Sequence, residues 1–197
     1  MTRSCRDYGQ IVRDMSASQT LVIYCLGTSE EPMRGDVDLQ TLLFLSSIEL
    51  HDLFEGTFVF QQHANGPFSE RIFEDVTAII KDGYASGSDF KLSNEGKEIY
   101  KEVEKHIEEP LKSTIQKNIE FVSGLTKQEL QTFIYATFPD YIIDSEVRMK
   151  IQRNRVKNAI SMLMKEKVTA SQAAKVAGMG YNEFENHLNT LKIRWKS

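Results

Sequence analysis

The chain has 197 residues, 41% of them hydrophobic and 26% charged, with a formal net charge of −4, an ordinary globular composition with enough apolar residues for one domain or two small ones. Apolar runs such as 21–26 and 42–45 fall far short of the roughly 20 residues a membrane span needs, and the polar N-terminus has no secretory core, so a cytoplasmic protein without membrane contact is expected. Cys5 and Cys25 are the only cysteines, with no CxxC and no histidine at ligand spacing, which argues for reduced thiols, a buried Cys25 and no zinc site.

In chain order, residues 20–27 read as a short apolar helix running into a Gly/Ser/Pro loop. Asp36 or Asp38 is placed to cap a helix over 39–50, where Leu39, Leu42, Leu43, Ser46 and Leu50 recur at three- and four-residue steps. The β-branched and aromatic run 57–60 predicts a strand that ends at the turn Asn65-Gly66-Pro67. From Pro67 or Ser69 the spacing predicts an amphipathic helix with Ile72, Val76, Ile79 and Ile80 inward and Asp75 and Asp82 outward, stopping at Gly83. Residues 84–92 read as two short strands around a polar tip, a wing. Ser93 caps the next helix, Pro110 interrupts it, and another helical piece covers 111–122. Thr126 with Glu129 forms a capping box for a helix that Pro139 ends. Tyr24, Phe44, Phe58, Phe60 and Phe73 are the expected core aromatics.

Residues 140–144 are the expected domain junction, because the charge changes there. Residues 146–197 hold 11 Lys and Arg against 4 Asp and Glu, and residues 1–145 hold 13 against 24. A +7 tail behind a −11 body marks two modules, 1–145 and 146–197, facing different partners. The tail opens with a basic helix over 145–167 whose apolar stripe is Met149, Val156, Ile160 and Leu163.

Two short helices follow. Thr169 and Gln172 make a capping box, and Ala170, Ala173, Ala174 and Ala177 supply the small side chains that close helix crossing requires. Gly178 suits a left-handed turn with Met179 as its apolar plug, and a helix over 181–191 buries Phe184, Leu188 and Leu191. The spacing of Ala174, Gly178 and Phe184 resembles the helix-turn-helix of DNA-binding proteins. By that resemblance the second helix reads duplex DNA through Asn182, Glu185, Asn186 and Asn189, since asparagine pairs bidentately with adenine. Lys165, Lys167, Lys175, Lys192 and Arg194 around it, and Arg148, Lys150, Arg153, Arg155 and Lys157 before it, are candidates for phosphate contact. Glu183 and Glu185 oppose this, and a helical hairpin for protein contacts is the alternative.

The stretch "VTASQAAKVAGMGYNEFENHLNTLKI" also resembles short prokaryotic helix-turn-helix proteins proposed as antitoxins and often paired with PIN-type ribonuclease toxins, with Gly180 where those proteins usually carry serine. Earlier, "LQTLLFLSS", "GPFSERIFEDVTAIIKDGYA", "LSNEGKEIY" and "LTKQELQTFIYATFPDY" resemble in order the SocA-like (Panacea) antitoxin domain. That resemblance implies a domain that binds a toxin or other protein. Together these readings give a mainly α protein, a winged-helix-like domain with a small β-hairpin followed by a helix-turn-helix module. The helix from Ser69 carries Glu70, Glu74, Asp75 and Asp82 against Arg71 and Lys81, a face that phosphates would repel, so the first domain is expected to contact protein, its own copy in a homodimer included.

His51, His63, His106 and His187 are scattered, and HExxH, GxSxG, the phosphate-loop pattern and GxGxxG after a strand are all missing. Asp36-Val37-Asp38 reads as capping, and Glu108-Glu109 and Glu74-Asp75 as solvated faces. The expectation is a non-enzymatic transcriptional regulator or antitoxin-like repressor without cofactor or metal; the alternatives are a module that neutralises a toxin or bridges partners without touching DNA, and an unrecognised nuclease.

Overall fold

Side-chain caps punctuate the chain. The structure, a computed structural model, describes residues 7–87, 89–141 and 145–195; Cys5 and residues 142–144 of the expected junction lie outside the described residues. In order come α1 (Tyr8–Asp14), α2 (Ala17–Thr28), α3 (Asp36–Glu49), α4 (His51–Phe54), β1 (Gln61–His63), β2 (Gly66–Phe68), α5 (Glu70–Lys81), α6 (Asn94–Glu104), α7 (Leu111–Gly124), α8 (Lys127–Thr137), a 3₁₀ turn (Pro139–Tyr141), α9 (Ser145–Met164), α10 (Ala170–Ala177) and α11 (Tyr181–Thr190). The fold is mainly helical, with one small antiparallel hairpin among the described residues. No helix there is long and apolar enough to cross a membrane.

The chain divides into two compact units, residues 1–60 with 69–120, and residues 61–68 with 121–197. This differs from the expected division at 145/146. The reason is that α8 packs on both α9 and α10 and so joins the C-terminal unit.

In the first unit α2 is the central helix. Val22, Ile23 and Cys25 are fully buried and Tyr24 nearly so, and α5 and α6 pack on it. Burial pushes the Cys25 thiol above its ordinary range. Gly27 is required by a close approach: a Cβ there would stand 2.1 Å from Cδ2 of Tyr100, whose ring stacks on Tyr24 at 6.0 Å. Gly35 is the N-cap residue of α3, not Asp36 or Asp38. Asp38 instead reaches back to the Arg34 backbone N–H at 3.2 Å and accepts from its guanidinium at 2.8 Å.

Four further expectations are corrected in this part of the chain. The run 57–60 forms no strand: Phe58 and Phe60 join an aromatic cluster with Phe54 and Phe44, and the ladder forms one step later, pairing Gln61 with Phe68 and His63 with Gly66. The wing over 84–92 is a single bridge between Ala85 and Leu92, where Ser86 bonds Asp89 within the loop and Phe90 takes a positive φ. Asp75 points inward, 3% exposed, beside Arg71 at 3.3 Å; burial pushes its carboxyl up against the pull of Ser18 and Arg71. Phe73 lies outward, 49% exposed. The motifs "LQTLLFLSS" and "GPFSERIFEDVTAIIKDGYA" meet in space, because the buried Gln40 accepts from the Ser69 N–H at 2.8 Å and donates to the Ser69 carbonyl at 3.1 Å.

In the second unit α8 opens with the expected box, Thr126 accepting from the Glu129 N–H and Glu129 from the Thr126 N–H. α9 presents Ile151, Asn158, Ala159, Met162 and Leu163 to the core, so the expected stripe is rotated and Met149 is half exposed. The cause is polar. Asn158 is buried to donate to the Thr132 hydroxyl of α8 at 2.8 Å, a pairing that fixes which side of α9 faces inward.

Candidate nucleic-acid interface

The helix pair α10 and α11 is built from local signals. Thr169 accepts from the Gln172 N–H at 3.2 Å while the Gln172 side chain accepts from the Thr169 N–H at 2.9 Å, starting α10 at the expected residue. Ala173, Ala174, Val176 and Ala177 are buried, and α10 packs on α9 and α11. Gly178 takes φ 74°, and Met179 N–H returns to the Ala174 carbonyl at 3.0 Å. α11 begins after Gly180, whose N–H is accepted by Glu183 at 3.4 Å, and it buries Phe184 and Leu188. Leu191, expected in the core, is 50% exposed because α11 ends at Thr190.

Asn182, Asn186 and Asn189 are all exposed and, at steps of four and three residues, share the face opposite Phe184 and Leu188. Glu183 lies exposed at the edge of that face and Glu185 is part-buried. On α9, Lys150, Arg153 and Lys157 form a second exposed line at i, i+3 and i+7, opposite the buried Ile151, Ala159 and Met162. Lys175 on the outer side of α10, and Lys192 and Arg194 beyond α11, are exposed too.

Two predicted cations are committed to the protein itself. The Arg155 guanidinium lies over Gly178, donating to the carbonyls of Val176 and, at 3.0 Å, Lys175, so it closes the C-terminal end of α10. Lys165 donates to Glu129 at 2.7 Å, and Glu129 is 3% exposed. Burial alone would raise the Glu129 carboxyl; Lys165, with Ser161 and Thr126, brings it down to about 2. Arg148 is part-buried on the inward side of α9. Arg155 and Lys165, two of the residues expected at phosphates, are thus held by internal partners.

Lys167 and Arg194 are brought together in an open cleft of about 880 Å³ beside the start of α10, together with Tyr181 and Trp195. Residue spacing alone does not place Trp195; its indole N–H is buried without an acceptor among the described residues. Its only signal in the sequence is an aromatic residue just past α11, matching Tyr181 at the start of that helix.

Divided at the structural boundary, the second unit holds 12 Lys and Arg against 7 Asp and Glu and the first 12 against 21. The asymmetry of the sequence thus survives the change of boundary. No protein-family model, curated protein or solved structure matches the chain.

Proposed function

We propose that the second unit binds duplex DNA, α11 entering the major groove with Asn182, Asn186 and Asn189 toward base edges while Lys150, Arg153, Lys157, Lys175, Lys192 and Arg194 neutralise phosphates. The observation that carries this is the three-asparagine face of α11, exposed opposite its buried side. In this reading the chain is a transcriptional regulator or antitoxin-like repressor. The first unit serves protein contacts, a homodimer or a toxin among them, as a winged-helix-like domain whose wing is reduced to the Ala85–Leu92 bridge.

Fluorescence anisotropy with a labelled duplex from the chain's own promoter tests this, at about 50 mM and higher salt. The expected result is affinity that falls steeply with salt, with Asn186→Ala losing about 1–3 kcal/mol on that duplex and little on random sequence. Absence of binding at low salt, or an Asn186→Ala loss equal on every duplex, overturns the reading. A second reading, a module that binds a protein without DNA, draws on α5, where Phe73 is 49% exposed amid exposed Glu70, Glu74 and Asp82. Co-purification of a neighbouring gene's product, unaffected by Lys150→Glu with Lys157→Glu, favours it.

A further inference from the structure

Three residues of the apolar stripe expected on α9, Met149, Val156 and Ile160, are turned from the core and line up at the surface with Met164. Met149 is 50% and Met164 51% exposed, Val156 and Ile160 are part-buried, and helical spacing puts all four on one face. Arg153 interrupts this row, and Lys150 and Lys157 run along its edge, all three exposed. None of these cations makes an ion pair among the described residues. A single exposed methionine is ordinary, but a contiguous apolar row rimmed by charge of one sign marks an interaction surface. The first unit carries a face of the opposite kind. On α5, Phe73 is 49% exposed between Glu70 and Glu74, both exposed and outside any ion pair among the described residues.

Charge and spacing decide what fits. Glu70 and Glu74 recur one helical turn apart, about 6 Å along the axis, and Arg153 and Lys157 recur at the same step. At the shallow crossing of about 20° that many helix pairs adopt, the acidic and basic rows run side by side and pair one to one. Two copies meeting through α9 alone would set cations on cations, and through α5 alone acids on acids, and like charges in contact disfavour both. We infer that the outer face of α9 seats α5 of a second copy of this chain, Glu70 and Glu74 against Arg153 and Lys157, and Phe73 on the row from Met149 to Ile160. This deepens the protein-contact part of the proposed function by giving contact between copies a surface. Arg153 and Lys157 are offered to phosphates as well, so a seated copy and a duplex exclude each other on α9.

The test is sedimentation velocity of the full chain over a concentration series, with no DNA present. The parent should self-associate, and less so as salt rises from about 50 to 500 mM, because screening acts on the exposed rows. Glu70→Lys with Glu74→Lys, and separately Arg153→Glu with Lys157→Glu, should each weaken association by about tenfold or more, with helical circular dichroism checking that each variant is folded. Loss in both is required, since a contact of α5 with α5 does not feel the α9 change, nor a contact of α9 with α9 the α5 change. Mixing the two variants should restore association, because each then offers the row that the other needs. Phe73→Ser, which keeps every charge, should also weaken it. The inference is overturned if the parent is monomeric throughout, whatever other protein then takes either face, if either charge variant associates as the parent does, or if the mixture stays as weak as its components. Since DNA is absent, none of these outcomes bears on the reading of α11.

Discussion

Replacing Glu129 by glutamine removes a buried charge while keeping an amide that can still close the capping box with Thr126. The carboxyl is depressed from 4.5 to about 2 by its partners in the fold. Lowering a pKa by one stabilises the charged form by about 1.36 kcal/mol, so the Glu129 carboxylate contributes on the order of 3 kcal/mol to the stability of the second unit at neutral pH. Because the folded value is the depressed one, the contribution is complete above about pH 4.5, shrinks as pH falls, and is gone below about 2. Roughly 2 kcal/mol of it should be lost by about pH 3. Trp195 is the only tryptophan and belongs to this unit, so its fluorescence in urea follows the unfolding that matters. Glu129→Gln should unfold at lower urea at pH 7 and approach the parent as pH drops to about 3. Lys165→Met leaves the carboxylate buried without its cation and should cost about 3 kcal/mol or more at pH 7. Parallel stability curves for parent and Glu129→Gln between about pH 5 and 2, or a more stable Glu129→Gln at pH 7, would falsify the assignment of this pair as a stabilising lock.

Gly178→Ala imposes a side chain on φ 74° and sets a Cβ 2.7 Å from Arg155 Nη1, so a loss of about 1–2 kcal/mol from the backbone alone is expected in the same fluorescence assay. The loss should shrink in an Arg155→Ala background, since the two changes share one contact. Gly27→Ala forces Tyr100 out of its place against α2 and should cost about 1–3 kcal/mol by urea-induced loss of helical circular dichroism, with Tyr100→Ala relieving part of it. Cys25, fully buried with its thiol pushed up, should resist a thiol reagent in the folded Cys5→Ser chain and react only on unfolding; rapid labelling of the native protein counts against the α2 packing.

Local signals in the sequence were legible where the residues that decide a feature lie within one turn of each other. The boxes at Thr126 and Thr169 and the left-handed Gly178 are of this kind, and so is the asparagine face of α11, which needs only helical spacing. Features decided by distant partners were not. Met149, Val156 and Ile160 line up with Leu163 as well as Ile151, Ala159 and Met162 do, and the choice of the second set as its buried company is made by Asn158 and a threonine 26 positions away. The hairpin pattern over 84–92 yields only the Ala85–Leu92 bridge, and the strand pattern over 57–60 yields its ladder one step later, on Gln61–His63, because Phe58 and Phe60 belong to an aromatic cluster. Asp75 looked solvated by its charge; its neighbours Ser18 and Arg71 lie on two different helices.

The same distinction changes what the charge of the C-terminal unit means. Ten cations were candidates for phosphate, but Arg155 closes α10 and Lys165 neutralises Glu129, and only six of the rest stand exposed. Counterion release scales with the phosphates engaged, by about 0.9 per contact in the logarithmic salt slope. Six contacts per chain give a slope of about −5, whereas all ten would give about −9. Glutamate at Lys157 should flatten the slope by about one contact, and methionine at Lys165 should leave it unchanged while costing stability. A slope near −9, or a flattening by Lys165→Met in protein that remains folded, means that Lys165 and Arg155 leave their internal partners when DNA binds, and that the fixed frame argued for α9 and α10 gives way on the duplex.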